Sequence, residues 1–233
     1  MVNKLGTLRN LFLAASAALL ASAAQAAPVN IDGVGFQISY DNAALGVLGA
    51  GPTSLVGNVL TLTPAGSPGL SANSTGPSST AAAASFSFTA DPGYAIAGFS
   101  LAAGGSYYYF GSASVAASGA LDVDLGGSTE SAVLTPTGAF IANAPFNFTT
   151  KEWSSLAELA FTPVTAADVD FSLLMQALAV SGPNFSYIST TSVDLAVMLV
   201  PAPLPNNSVP EPSTALLALA ALGVLKLRRR ASA

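Results

Sequence analysis

Along most of the chain, apolar residues recur at every second position. Phe36, Ile38 and Tyr40 alternate with Gln37 and Ser39, and Leu60 and Leu62 with Thr61 and Thr63. Phe86 and Phe88 alternate with Ser85, Ser87 and Thr89. The same period runs through Leu121, Val123 and Leu125, through Val169, Phe171 and Leu173, and through Val193, Leu195, Val197 and Leu199. A period of two sends alternate side chains to opposite faces, so each run predicts a half-buried strand. Gly, Pro, Ser and Asn punctuate the runs at Gly49-Ala50-Gly51-Pro52, Asp91-Pro92-Gly93, Gly104-Gly105, Gly126-Gly127 and Gly182-Pro183-Asn184. Many short strands with such breaks predict an all-β fold, an antiparallel β-sandwich that is jelly-roll-like. Trp153 to Ala160 offers a possible helix, although Leu159 and Phe161 fit a strand equally. Pro64 to Ala84 is rich in Pro, Gly, Ser and Ala and reads as a long mobile loop.

The alternation stops at both ends. At the N-terminus, Lys4 and Arg9 precede an apolar stretch from Leu11 to Ala24, and Ala24-Gln25-Ala26 has the small-x-small pattern of a cleavage site. Residues 1–26 therefore read as a secretory signal peptide, forming a signal helix cut by signal peptidase after Ala26. At the C-terminus, Val209-Pro210-Glu211-Pro212-Ser213-Thr214 leads into an apolar run from Ala215 to Leu225 and then Lys226-Leu227-Arg228-Arg229-Arg230. A bilayer span takes about 20 apolar residues. This run is shorter and rich in Ala, so it predicts a marginal hydrophobic transmembrane helix suited to temporary retention. Lys226, Arg228, Arg229 and Arg230 would hold its end in the cytoplasm. The organisation expected is a signal peptide over 1–26, a β-domain over 27–200, a Pro/Asn linker over 201–208 and a terminal signal over 209–233.

Those terminal residues resemble the PEP-CTERM sorting signal of Gram-negative bacteria that make exopolysaccharide. The Val-Pro-Glu-Pro-Ser element, a short Ala/Leu helix and an Arg cluster are its three parts, and they occur here in order. The resemblance implies recognition by exosortase, a membrane-embedded transpeptidase-like enzyme, with Pro210, Glu211 and Pro212 as the sorting motif. The prolines would present an extended backbone to it. It also implies a precursor tethered to the inner membrane and then a protein at the cell surface or outside the cell. Its partners would be exosortase, signal peptidase with the general secretion machinery, the membrane transiently, and exopolysaccharide. The stretch from Asp91 to Leu101 also looks like a segment common in such exported proteins, and its physical content is a turn followed by a strand.

Composition narrows what the domain does. The chain has no Cys and no His, which removes disulfides, thiolate chemistry and the commonest general base and metal ligand. Between Ala27 and Val209 eleven acidic residues face one basic residue, Lys151, for a net charge of −10. No basic patch can form there, so nucleic acid is not a partner. Ser is abundant, but there is no Gly-x-Ser-x-Gly elbow, and neither a phosphate loop nor a dinucleotide fingerprint occurs. Asn73, Asn147, Asn184 and Asn206 stand in Asn-x-Ser/Thr sequons, which a Ser/Thr-rich chain acquires by composition.

Two groups of residues remain as candidates. Asp122/Asp124 and Asp168/Asp170 are carboxylate pairs at strand spacing, with members about 7 Å apart. Such pairs serve glycoside hydrolysis or hold calcium, but their Leu and Val neighbours put these acids on the wet face. Tyr107 and Tyr109, within Tyr107-Tyr108-Tyr109-Phe110, share one strand face and would be either glycan-stacking residues or core. The sequence thus predicts a non-enzymatic, cofactor-free surface or matrix protein that is structural or interactive. The alternative is a lectin-like module that binds exopolysaccharide through Tyr107, Tyr109 or a calcium site.

Overall fold

The structure, a computed structural model, describes residues 28–49, 53–64, 70–74, 76–144, 147, 149–180 and 184–202. The expected signal peptide, sorting motif, hydrophobic helix and basic cluster lie outside these residues. The chain divides into two units, Met1–Pro201 and Ala202–Ala233, and the fold below belongs to the first.

The described residues form twelve strands: β1 Val29–Asp32, β2 Phe36–Tyr40, β3 Thr53–Val56, β4 Val59–Leu62, β5 Leu70–Ser74, β6 Pro77–Ala90, β7 Tyr94–Phe110, β8 Ala113–Asp124, β9 Thr129–Pro136, β10 Lys151–Val164, β11 Ala166–Ala179 and β12 Phe185–Pro201. A 3-10 turn at Gly46–Leu48 is the only helical element among the described residues. Every pairing is antiparallel. One sheet runs β1-β2-β6-β11-β8-β9 and the other β10-β7-β12-β4-β3, with β5 on β12 beyond the end of β4. The two join along one edge, where Ser155 and Leu156 of β10 pair with Pro136 and Thr135 of β9. The all-β, sandwich-like architecture expected from the alternation is therefore present.

The alternation decides what is inside. Phe86, Phe88, Val169, Phe171, Leu121 and Val123 turn inward from the first sheet, and Ile96, Phe99, Leu101, Val193 and Leu195 from the second. Phe88 and Phe99 meet edge to face across the layers with centroids 4.8 Å apart. Such aromatic contacts add about 0.5–1.5 kcal/mol to the area they bury. Deeper in the same interface, Thr190 Oγ1 donates to Met175 Sδ at 3.4 Å, so a buried hydroxyl finds an acceptor on the facing sheet.

Three expectations are corrected. The stretch read as a loop over Pro64 to Ala84 contains β5 and most of β6. Ala and Ser give no amphipathic contrast, so Ala81 to Ala84 conceal a period of two. Their conformation is set by β11, which pairs with them from Ala81 opposite Leu174 to Ala84 opposite Phe171. The possible helix at Trp153 to Ala160 is the first part of β10, with Trp153, Ser155 and Ala157 inward and Ser154, Leu156 and Glu158 outward. An apolar Leu156 on the outer side, at the β9 seam, blurs the pattern. Gly104-Gly105 is not a break but the middle of β7. A Cβ at Gly105 would stand 1.9 Å from Ser189 O, so glycine there lets β7 approach the bulged β12. By contrast, Asp91-Pro92-Gly93 is the expected turn: Tyr94 N donates to Asp91 O at 3.0 Å, and Gly93 takes φ +94°.

Candidate functional site

The β9–β10 connection folds back over the end of β7 and builds the most elaborate polar arrangement of the described residues. Ile141 N donates to Tyr107 Oη at 3.1 Å, and Tyr109 Oη donates to Phe140 O at 2.8 Å. Asn143, a buried polar residue, ties the same segment down. Its N–H donates to Tyr109 O at 2.8 Å and its Nδ2 to Thr149 O at 2.6 Å. Lys151 opens β10 and donates from Nζ to Ile141 O at 2.9 Å and Ala142 O at 3.0 Å. The single cation between the two terminal signals thus caps two backbone carbonyls of this connection and is not presented to a ligand. Thr137 N donates to Ser154 O at 2.9 Å and closes the loop onto β10.

Tyr107 and Tyr109 are brought together as the spacing suggested, stacked with centroids 6.3 Å apart. They do not form an open platform. Tyr107 is only 4% exposed, and Phe140 stands edge-on against its ring at 4.9 Å and 88°. Tyr109 is half-buried, and its phenol titrates above the ordinary 10.0, raised first by burial and then by Tyr107. On the opposite face of β7, Tyr108 stacks on Phe185 at 5.3 Å and 11° and lies 5.4 Å from Tyr187. Its phenol is raised by burial and then by Tyr187.

Beside Tyr107 the loop and β10 enclose a cleft of about 210 Å³, lined by Tyr107, Thr137 to Phe140, and Glu152 to Ser154. The floor is aromatic. Trp153 is buried and its Nε1 donates to Ser189 O at 2.9 Å, and Phe140 lies 6.5 Å from the indole at 55°. The rim is polar: the Thr137 and Ser154 hydroxyls are 2.7 Å apart, and Glu152 is exposed. Sequence reading placed Tyr107 here but missed Phe140, Thr137, Asn143 and Glu152. A lone Lys beside a carboxylate and a Trp, in Lys151-Glu152-Trp153, was the available signal.

The carboxylate pairs form a ladder on the outer face of the first sheet. Asp168 stands directly opposite Asp124, and Asp170 opposite Asp122. Hydroxyls and an amide serve them: Ser87 Oγ donates to Asp168 at 2.6 Å, Ser131 Oγ to Asp122 at 2.5 Å, Gly126 N to Asp124 at 2.8 Å, and Ser85 Oγ to Asp170. Among the described residues no group of three or more acidic side chains is arranged to hold a metal ion. Two sequon asparagines have structural partners. Asn184 accepts from Ser112 N at 2.9 Å and donates to Val180 O at 2.8 Å, while Asn147 accepts from Thr149 N at 3.0 Å. No helix among the described residues is long and apolar enough to cross a membrane.

Residues 208–230 match the family model of the PEP-CTERM protein-sorting motif, so the chain carries the signal its tail resembles, and this motif marks an exported protein sorted by exosortase. No curated protein matches the chain. Among solved structures, TmCBM61 in complex with β-1,4-galactotriose aligns at 10% identity over 74% of this chain and 88% of its own, with a TM-score of 0.27. A structure from the carbohydrate-binding modules of the β-sandwich superfamily aligns at 8% identity over 76% of this chain and 99% of its own, with a TM-score of 0.21.

Proposed function

We propose that the chain is the precursor of a non-catalytic cell-surface or matrix protein, released from the inner membrane by exosortase after signal peptidase has removed residues 1–26. The observation that carries this reading is the sorting motif at residues 208–230. The charge distribution supports it. Six of the seven basic residues lie in the two terminal signals, so removing both leaves an acidic domain that self-repulsion keeps soluble. Pro210, Glu211 and Pro212 serve as the recognition element, and Lys226, Arg228, Arg229 and Arg230 as the cytoplasmic stop. The released domain works by contact with exopolysaccharide or other matrix components.

Deleting residues 210–212 tests the sorting step. The variant should accumulate as a membrane-bound precursor while the wild-type domain leaves the membrane fraction. Equal release of both proteins would defeat the exosortase assignment. A second reading, a carbohydrate-binding module, is favoured by one observation: a cleft with an aromatic floor and a hydroxyl and carboxylate rim, held rigidly by Asn143 and Lys151.

A further inference from the structure

We infer that the cleft between residues 137–140 and 152–154 takes one neutral hexose unit of a polysaccharide chain, an inference that rests on the carbohydrate-binding reading. Size comes first. Pockets for drug-sized ligands run to about 300–1,000 Å³. A cleft of about 210 Å³ is smaller and suits a single ring. An open mouth lets the neighbouring units of a polymer pass outside it.

Chemistry comes second. A hexose has an apolar C–H face and a rim of hydroxyls. Phe140, half-buried and set at 88° to Tyr107, offers ring surface to the first. Glu152 offers two acceptor oxygens to the second, and the Thr137 and Ser154 hydroxyls, whose protons are engaged with each other and with Ser154 O, offer acceptor lone pairs. The Trp153 N–H is already committed to Ser189 O, so the indole contributes shape and not a donor.

Charge comes third, and it selects among sugars. The nearest cation, Lys151, is held by two backbone carbonyls, Glu152 lines the cleft itself, and the domain carries a net −10. A uronate or sulfated sugar meets only repulsion here, whereas a neutral hexose meets acceptors for its hydroxyls. The site is also ready-made. Hydrogen bonds from Thr137 N, Ile141 N, Asn143 N and Lys151 Nζ fix the loop, so little ordering remains to be done on binding. This placement differs from a platform of Tyr107 and Tyr109: Tyr107 supplies a wall, and Tyr109 acts through its hydrogen bond to Phe140 O.

Trp153 is the sole tryptophan of the chain and lines the cleft, so its fluorescence reports occupancy directly. The released domain is titrated with trisaccharides of glucose, galactose and mannose and with a galacturonate trisaccharide. Affinity is read by Trp153 fluorescence and by calorimetry. At least one neutral trisaccharide should bind with a change in Trp153 emission, and the galacturonate should not. Glu152→Gln, nearly isosteric, and Phe140→Ala should each weaken binding about tenfold or more. Glu152→Gln keeps the test valid if Phe140→Ala loosens the loop. Neutral-sugar binding undiminished in Glu152→Gln and silent in Trp153 emission overturns this site while leaving a carbohydrate-binding function elsewhere on the domain. Tighter binding of galacturonate than of any neutral sugar overturns the charge argument and the inference with it. No binding of any trisaccharide, by calorimetry or fluorescence, overturns both the site and the carbohydrate-binding reading.

Discussion

Gly104 and Gly105 are adjacent in sequence, yet alanine at each should have opposite consequences. A Cβ at Gly105 would lie 1.9 Å from Ser189 O, 2.8 Å from Ser189 C and 2.9 Å from Thr190 Cα. All three are backbone atoms of β12, so no rotamer change relieves the clash and the strands must part. Overpacking of this kind costs about 1–3 kcal/mol. Ser189 O is also the acceptor for Trp153 Nε1 at 2.9 Å, and moving it leaves a buried indole N–H unpaired, a further cost of about 1–3 kcal/mol. Gly105→Ala should therefore destabilise the domain by about 3–4 kcal/mol, a large part of a typical total of about 5–15 kcal/mol. At Gly104 the added Cβ would meet Trp153 O at 3.4 Å, an ordinary contact. Gly104→Ala should change stability by less than about 1 kcal/mol and can even stabilise by restricting the unfolded chain. Urea unfolding of the exported domain, followed by Trp153 fluorescence, gives both values. Gly105→Ala should also shift the native emission, because the indole environment changes. Equal stability of the two variants would refute the close-approach reasoning.

Three further outcomes follow from the same contacts. Facing carboxylates destabilise an antiparallel pair by about 0.2–1 kcal/mol each, and salt screens them. The urea midpoint should therefore rise with added NaCl, and rise less in an Asp168→Asn/Asp170→Asn double variant; an unchanged salt response would show that the Asp122, Asp124, Asp168 and Asp170 ladder carries no strain. Tyr108 and Tyr109 titrate above 10.0 in the folded domain, so their contribution is complete below the unfolded-state value and is lost as pH rises through the folded one. Stability should fall as pH climbs above about 10, and Tyr109→Phe should reduce that fall in urea midpoints measured across the alkaline range. Lys151→Met removes two hydrogen bonds from the loop carbonyls and should cost about 0.5–1.5 kcal/mol for each, with faster amide exchange over residues 141–143 than in the parent.

Legibility varied with side-chain contrast. The strands at Phe36–Tyr40, Leu121–Asp124 and Val169–Leu173 were readable because large apolar and small polar residues alternate there. Ala81 to Ala84 were not, because alanine suits either face and only the neighbouring β11 imposes a strand. The exposed face of the Asp pairs was readable from their Leu and Val neighbours. Their opposition across β8 and β11 was not, because register is a property of the pairing and not of either strand. The proximity of Tyr107 and Tyr109 followed from i, i+2 spacing. Their covering by residues 137–144 did not, because a loop that returns to its own sheet leaves no periodic trace. Asn143 shows the same limit: its burial becomes visible only through Tyr109 O and Thr149 O.

Export, sorting and release are tested together by the intact mass of the protein recovered outside the membrane. That mass should lack residues 1–26 and should end at or near Pro210–Pro212, without Lys226, Arg228, Arg229 and Arg230. A recovered protein whose C-terminus is still Ala233 would contradict processing by exosortase.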